Sequence, residues 1–307
     1  MVMGDEAGAG HRCLICYIIT FNKRPMLRHT LILPLLLATP AAAEMVIATD
    51  LPLTAGLVSA VTGDLATVTP VFDAQTDPHG AALRPGQARD LSRADLVVII
   101  GGGLMPGVES GLDALAEGRI LSLAGEVEHH DEDHHDNHGA LHPWLDPEVV
   151  RGWVETLAAE MSTRDEINGP TYAANAEAAR DEIAEVADAV EVAVGGLYPA
   201  GMLAVHDAWG AAVEAFGLPV VATISDSEAH SPSVRRLSEI EATLRAGDVA
   251  CILAAPGDDR GQADRLSEEF SLPIVTVPLT GVSGEGVAVY TGLLEALGAA
   301  AAECAAG

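Results

Sequence analysis

Residues 96–103 read Leu-Val-Val-Ile-Ile-Gly-Gly-Gly, an unbroken apolar run that ends in three glycines. A short apolar run without alternation is typical of a strand that is buried on both faces of a parallel sheet. The glycines suit a tight loop from strand to helix, and Pro106 stands where a dinucleotide-binding motif would have its last glycine. This stretch therefore predicts an α/β fold without a nucleotide fingerprint.

Strand and helix patterns alternate on both sides of this stretch. In the first half, strands are predicted at 45–48, 65–71, 96–100 and 120–123. In the second half, they are predicted at 202–205, 219–223, 249–254 and 273–277. Between the halves, apolar residues recur every three or four positions from Pro170 to Tyr198, which predicts a helix about 40 Å long. The chain is thus predicted to form two α/β lobes with parallel sheets, over 44–169 and 199–307, joined by a linking helix at 170–198.

The first 43 residues have the pattern of an export signal. A short basic segment follows Met26, an apolar run spans 31–38, and an Ala-x-Ala cleavage site ends at Ala43. We therefore interpret Met26 as the true start and 1–43 as a presequence, and expect a soluble periplasmic protein cleaved after Ala43. On this interpretation Cys13 and Cys16 belong to the removed segment, and their spacing does not mark a zinc or redox site.

Composition excludes some classes of partner. The formal net charge is −29 and aromatic residues make up 4% of the chain. Such an acidic protein is repelled by phosphate backbones, and few aromatic rings are present for base stacking, so nucleic-acid binding is not expected. The acidity suits a protein that handles cations.

Two cysteines remain after the presequence, Cys251 and Cys304. In an oxidising compartment two such cysteines are expected to pair, and a disulfide that closes so long a loop would contribute roughly 4 kcal/mol. The alternative is two free thiols.

Histidines and acids crowd the segment 126–139, which is predicted to be a surface loop because no apolar residue lies between His129 and Gly139. Imidazoles bind borderline divalent cations, and carboxylates attract them. We interpret the tract as an auxiliary metal-binding loop, the alternative being a solvated acidic loop. Its histidines are His129, His130, His134, His135 and His138.

Three further histidines stand at positions where a ligand site can form. His79 and His206 follow predicted strands, one in each lobe, and His142 precedes a predicted helix. Ligands of open α/β sheets bind beyond the carboxyl ends of the strands, so the three are expected to converge in the cleft between the lobes. Each alone would more often be a structural histidine, but together with the tract they favour a metal site.

At this point the sequence resembles a known family, the ZnuA-like or TroA-like (cluster A-I) zinc- and manganese-binding receptors of ABC importers. The matching motifs are DPHGAALRP (77–85), RADLVVIIGGGLMPGVESGL (93–112), HPWLDP (142–147), HDAWGAAVEAFGL (206–218) and SPSVRRLSEI (231–240). The resemblance implies two (βα)4 lobes bridged by a rigid helix, with a metal between them held by His79, His142 and His206. It also implies that a cysteine pair placed like Cys251 and Cys304 forms a disulfide.

The sequence departs from the family in its acidic ligands. The late aspartate of many members is missing from 276–281, and a family glutamate is missing from 252–256. Three imidazoles without that aspartate favour zinc over manganese. Water or a tract histidine is preferred as the fourth ligand. The acidic alternatives are Asp226, Glu228 and Glu285.

The function implied by the resemblance is a monomeric, non-enzymatic zinc receptor that delivers Zn²⁺ to an inner-membrane ABC permease, with a periplasmic metallochaperone as a further partner. Alternatives are a periplasmic zinc buffer or chaperone, a manganese receptor, and a three-histidine zinc hydrolase. The hydrolase would need a positioned acid or base beside the metal-bound water.

Overall fold

Strands and helices alternate in two successive series in the computed structural model, which describes residues 44–76, 78–112, 118–125, 142–225 and 232–306. The first series is β1 Met45–Thr49, α1 Pro52–Thr62, β2 Ala66–Pro70, α2 Pro85–Arg93, β3 Leu96–Ile99, α3 Pro106–Leu112, β4 Ile120–Ser122 and α4 Pro147–Arg164. A long helix, α5 Gly169–Gly195, follows. The second series is β5 Gly201–His206, α6 Gly210–Phe216, β6 Val220–Ser225, α7 Val234–Ala246, β7 Val249–Ala254, α8 Gly261–Phe270, β8 Ile274–Thr276 and α9 Ala288–Ala306.

The two series form two sheets of the same topology. Within the described residues the strand orders are β2-β1-β3-β4 and β6-β5-β7-β8, and every pairing is parallel. Strand β1 therefore corresponds to β5, and β3 to β7. All the carboxyl ends in one sheet lie at the same edge. The predicted α/β class with two parallel sheets joined by a long helix is confirmed.

Strand β3 is a central strand of the first sheet and is buried along its whole length. It ends one residue before its predicted end, and the N–H of Ile100 donates to Oδ2 of Asp50 at 2.8 Å. The glycines that follow have φ of +77°, +66° and +82°, in the left-handed region that glycine adopts without steric cost. A Cβ at Gly101 would lie 1.8 Å from Oγ of Ser122.

Helix α5 links the two lobes. Its buried residues recur at helical spacing along one face: Tyr172, Ala176, Ala179, Ile183, Val190 and Val194. This face packs against α1, α4 and α9, so it contacts elements from both series. The helix ends at Gly195, three residues before the predicted end. Glycine lowers helix stability at positions 195 and 196, and Pro199 disfavours helical backbone at the residue before it.

Hydrogen bonds between described residues cross from the first lobe to the second. The indole Nε1–H of Trp144 donates to the carbonyl of Leu279 at 2.7 Å, and the Tyr290 hydroxyl donates to the carbonyl of Trp144 at 2.9 Å. The Thr280 hydroxyl donates to the carbonyl of Ala74 at 2.9 Å. Trp144 and Tyr290 are completely buried. The segment that leads into α4 is therefore attached to the second lobe as well as to its own.

The predicted disulfide is confirmed, because Cys251 in β7 is bonded to Cys304 in α9 across a sequence separation of 53 residues. Both residues are buried, at 0% and 1% exposed. The bond joins the last helix to a central strand of the second sheet.

Several predictions lie outside the described residues: the presequence at 1–43, Cys13 and Cys16, and the whole histidine-rich segment 126–139. The lobe boundaries at 44, 170 and 199 stay predictions. Among the helices that the structure describes, none combines the length and the apolar character needed to cross a bilayer.

Candidate metal centre

His142 lies at the middle of the candidate centre. It precedes a 3₁₀ turn at Pro143–Leu145, and Asp146 then caps α4 by accepting the N–H of Glu148 at 2.8 Å. The proline and the buried Trp144 fix this backbone, so the imidazole stands on a rigid support. The His142 ring meets the edge of the Trp144 ring with centroids 5.0 Å apart, and only 3% of the residue is exposed.

His79 and His206 approach His142 from the carboxyl ends of two different sheets. His79 lies in the loop after β2 and is half-buried. His206 is the last residue of β5, is 3% exposed, and pairs in register with Ser225 of β6. The ring centroid of His142 is 5.1 Å from that of His79 and 6.2 Å from that of His206. The three histidines singled out from the sequence are thus neighbours, supplied by both lobes.

The rings do not yet have the geometry of a metal complex. Among the described residues, no three His, Cys, Asp or Glu side chains are arranged to hold an ion as they stand. The rings of His79 and His142 meet edge to face, with 72° between their planes. Coordination by all three imidazoles therefore requires the rings to turn, and their assignment as ligands stays a prediction.

The electrostatics of His142 favour a neutral imidazole. Burial, followed by the nearby His79 and His206, lowers the pKa of His142 from 6.5 to about 3. Its Nδ1 is buried and has no hydrogen-bond partner among the described residues. An unpartnered buried nitrogen costs free energy in a purely structural histidine, whereas a neutral imidazole is the form that binds metals. The donor set therefore fits a borderline divalent cation.

Asp258 is a site residue that the sequence reasoning missed. It lies four residues beyond the end of β7, and its side chain is 1% exposed. Oδ2 accepts the N–H of Ala255 at 2.6 Å, and Oδ1 lies 2.7 Å from Nδ1 of His206. The available signal was an acid just after the strand that neighbours β5, in Pro256-Gly257-Asp258-Asp259.

Strand β8 and the residues that follow it supply no acidic side chain that could act as a fourth ligand in this segment, 276–281. Val277, which follows β8, is completely buried, and Thr280 is engaged with Ala74. Glu285 is exposed, unlike the buried histidines. The other acidic candidates, Asp226 and Glu228, lie outside the described residues, as do the histidines of the tract.

Known proteins match this chain in sequence and in fold. The family described as ZnuA, zinc-uptake complex component A, periplasmic, matches residues 46–304. The High-affinity zinc uptake system protein ZnuA of Paracoccus denitrificans is 30% identical, over 87% of this chain and 94% of that protein. A crystal structure of ZnuA has a TM-score of 0.72 at 20% identity, covering 86% of this chain and 99% of its own. FpvC of Pseudomonas aeruginosa in complex with Mn²⁺ has a TM-score of 0.69 at 19% identity, covering 85% and 99%. From the match over almost the whole described region, the chain belongs to the ZnuA family of periplasmic zinc-uptake components.

Proposed function

We propose that the protein is a periplasmic receptor that binds one zinc ion through His79, His142 and His206 and delivers it to an ABC importer permease. The observation that carries this proposal is His142, an almost fully buried imidazole whose ring lies 5.1 Å and 6.2 Å from the rings of two other histidines. Family membership and the zinc-uptake names of curated relatives support it. We place the mature protein in the periplasm as a soluble monomer that follows removal of the presequence.

Zinc is favoured over manganese by the chemistry of the donors. Three neutral nitrogen ligands suit zinc, whereas manganese prefers carboxylate, carbonyl and water oxygens. The fold itself does not choose the metal, since structures of similar fold include the Mn²⁺ complex of FpvC. The buried Val277 in place of an acid supports water or a tract histidine as the fourth ligand.

A hydrolytic function is less well supported. A three-histidine zinc hydrolase needs a general base in reach of the metal-bound water. Asp258 approaches the histidines, but one of its oxygens accepts a backbone N–H and the other faces the ring of His206. It is therefore better placed to support a ligand than to accept a proton from water.

The ligand assignment is tested by measuring zinc affinity, through competition with a chromophoric chelator, for His79→Ala and His206→Ala. Each should lose tight binding by more than the roughly 100-fold that loss of an outer-sphere contact causes. His129→Ala, in the predicted auxiliary tract, is the comparison: it should keep one tight zinc per chain where water is the fourth ligand, and loss of tight binding would make His129 that ligand. Wild-type affinity in either ligand variant would refute the proposed site.

Delivery to a permease needs a separate test. A strain that lacks the gene should accumulate less zinc from zinc-poor medium, and wild-type protein should restore uptake while His206→Ala should not. Unchanged uptake in the deletion strain would favour a periplasmic zinc buffer.

A further inference from the structure

The contact between Asp258 and His206 goes beyond the three proposed ligands. The Asp258 side chain and His206 are 1% and 3% exposed, and Oδ1 lies 2.7 Å from Nδ1. A carboxylate is costly to bury unless hydrogen-bond donors compensate for the lost water. Here the backbone N–H of Ala255 compensates one oxygen, and the imidazole of His206 lies within hydrogen-bond distance of the other.

We infer that Asp258 is a positioning residue that holds His206 by Nδ1 and so presents Nε2 to the metal. This inference rests on the proposed function, in which His206 is a ligand. An ionised carboxylate only accepts hydrogen bonds, so a neutral His206 that faces it must carry its proton on Nδ1. Nε2 then keeps its lone pair for a metal. Such outer partners fix the tautomer and the ring orientation of metal-binding histidines and increase their basicity.

The geometry assigns Asp258 to this supporting position and not to the metal itself. Oδ2 is held by Ala255 at 2.6 Å, which fixes the carboxylate to the backbone just after β7. Because β7 pairs with β5 in the same sheet, the backbone that carries Asp258 is tied to the strand that carries His206. The distance between Oδ1 and Nδ1 already suits a hydrogen bond, although the ring must turn to align it.

Asp258→Asn is the sharpest variant, because it keeps the shape of the side chain and removes its charge. Ala255 and His206 face different oxygens of the carboxylate, and in the amide one of those two oxygens is replaced by an NH₂ group, which cannot accept a hydrogen bond. Zinc affinity, measured by chelator competition, should fall by about 10–100-fold. Asp259→Asn makes the same charge change one residue away, at an exposed side chain that caps α8 through Gly261, and should bind zinc like the wild type.

The tautomer provides a readout that a merely structural role would not change. Long-range ¹H–¹⁵N spectra of the histidine rings in the metal-free protein should show His206 with its proton on Nδ1 in the wild type. In Asp258→Asn the spectra should show a mixture of tautomers or the Nε2–H form. This measurement does not depend on zinc, so it remains informative if the proposed receptor function is wrong.

Thermal unfolding of the metal-free protein will show whether Asp258→Asn folds. If it folds poorly, Asp258→Glu provides the second test. It restores a carboxylate on a longer side chain and should recover the Nδ1–H tautomer and part of the zinc affinity. Wild-type affinity together with an unchanged tautomer in Asp258→Asn would overturn the inference. So would a change of coordination in the visible spectrum of the Co²⁺-loaded variant, which would make Asp258 a ligand. Failure of the wild type to bind zinc would instead refute the proposed function.

Discussion

Each lobe has a buried carboxylate at the carboxyl ends of its two central strands, but the two carboxylates have different partners. In the first lobe, Asp50 follows β1 and accepts the N–H of Ile100, which follows β3. In the second lobe, Asp258 follows β7 and accepts the N–H of Ala255, while its other oxygen faces His206 at the end of β5. The carboxylate thus connects the ends of the two central strands through a backbone N–H in the first lobe and through the side chain of His206 in the second.

This difference shows how two sheets of the same topology can use a buried carboxylate in two ways, to join strands or to contact a histidine side chain. Both oxygens of Asp50 accept backbone N–H groups, from Leu51 and Ile100, so this carboxylate only joins strands. In the second lobe one of the two groups that face the carboxylate is an imidazole, and the same edge of the sheet then presents the proposed ligand His206. The shared strand order gives each lobe a buried carboxylate at the ends of its central strands. The groups that this carboxylate contacts differ between the two lobes.

The largest effect is expected from the Cys251–Cys304 disulfide. Within the described part of the chain, it attaches β7 of the second lobe covalently to α9, and the pair β1 and β3 of the first lobe has no such bond. Replacing Cys251 and Cys304 together with alanine should lower the free energy of unfolding by about 4 kcal/mol, since a loop of 53 residues is no longer closed in the unfolded chain. Calorimetry should show a fall in Tm on the order of 10 °C. An unchanged Tm would mean that the disulfide does not constrain the unfolded chain. The second lobe would then gain no stability over the first from this bond.

The next effect concerns the pH dependence of stability at Asp50. Burial raises the pKa of this carboxyl from 3.8 to about 6. The folded state then holds more protons than the unfolded state between about pH 4 and 6, so the contribution of Asp50 to stability is present at pH 4 and decreases as pH rises. The decrease should be about 3 kcal/mol at most.

Asp50→Asn should remove this contribution. Urea unfolding of the metal-free wild type and variant at pH 4, 5, 6 and 7 isolates it as the difference between the two curves, which also cancels the opposite effect of the His142 pKa. Zinc affinity should remain unchanged, in contrast to Asp258→Asn. Parallel curves, or a loss of zinc affinity, would break the distinction between the two carboxylates.

A smaller effect is expected where the two lobes are joined. Burial raises the pKa of Tyr290 well above its usual range, so its hydroxyl stays protonated and donates to the carbonyl of Trp144. Tyr290→Phe removes this donor and should cost about 1 kcal/mol in urea unfolding. Tyr198→Phe is the matched control, because Tyr198 is 58% exposed and donates to Gly217, and it should cost less. Equal losses in the two variants would contradict a special role for the inter-lobe bond.

The fold could be predicted from sequence because its signals are local. Strands buried on both faces lose alternation, as in β7, whose predicted and observed bounds are both Val249–Ala254. Helix α2 begins at Pro85, since proline fits the first turn of a helix and so marks its start in the sequence. The disulfide could be predicted because only two cysteines follow the predicted presequence.

The support of the site could not be predicted in the same way. Trp144 and Leu279 are separated by 135 positions, and no local pattern indicates that an indole N–H reaches that carbonyl. The importance of Asp258 depends on β7 lying beside β5, which is a property of the sheet order. The family's glutamate would fall at 252–256, whereas the acid that contacts His206 lies two residues beyond that range.

The two hydrogen bonds of Trp144 have a mechanical consequence. His142 is two residues from an anchor in the second lobe, while the chain after Trp144 continues into α4 of the first. A force that pulls the lobes apart is therefore transmitted to His142 through its own backbone, and His142 moves relative to His79. In the receptor proposed above, metal release would then begin as a change of spacing between two proposed ligands of the first lobe, His79 and His142, driven by movement of the second lobe.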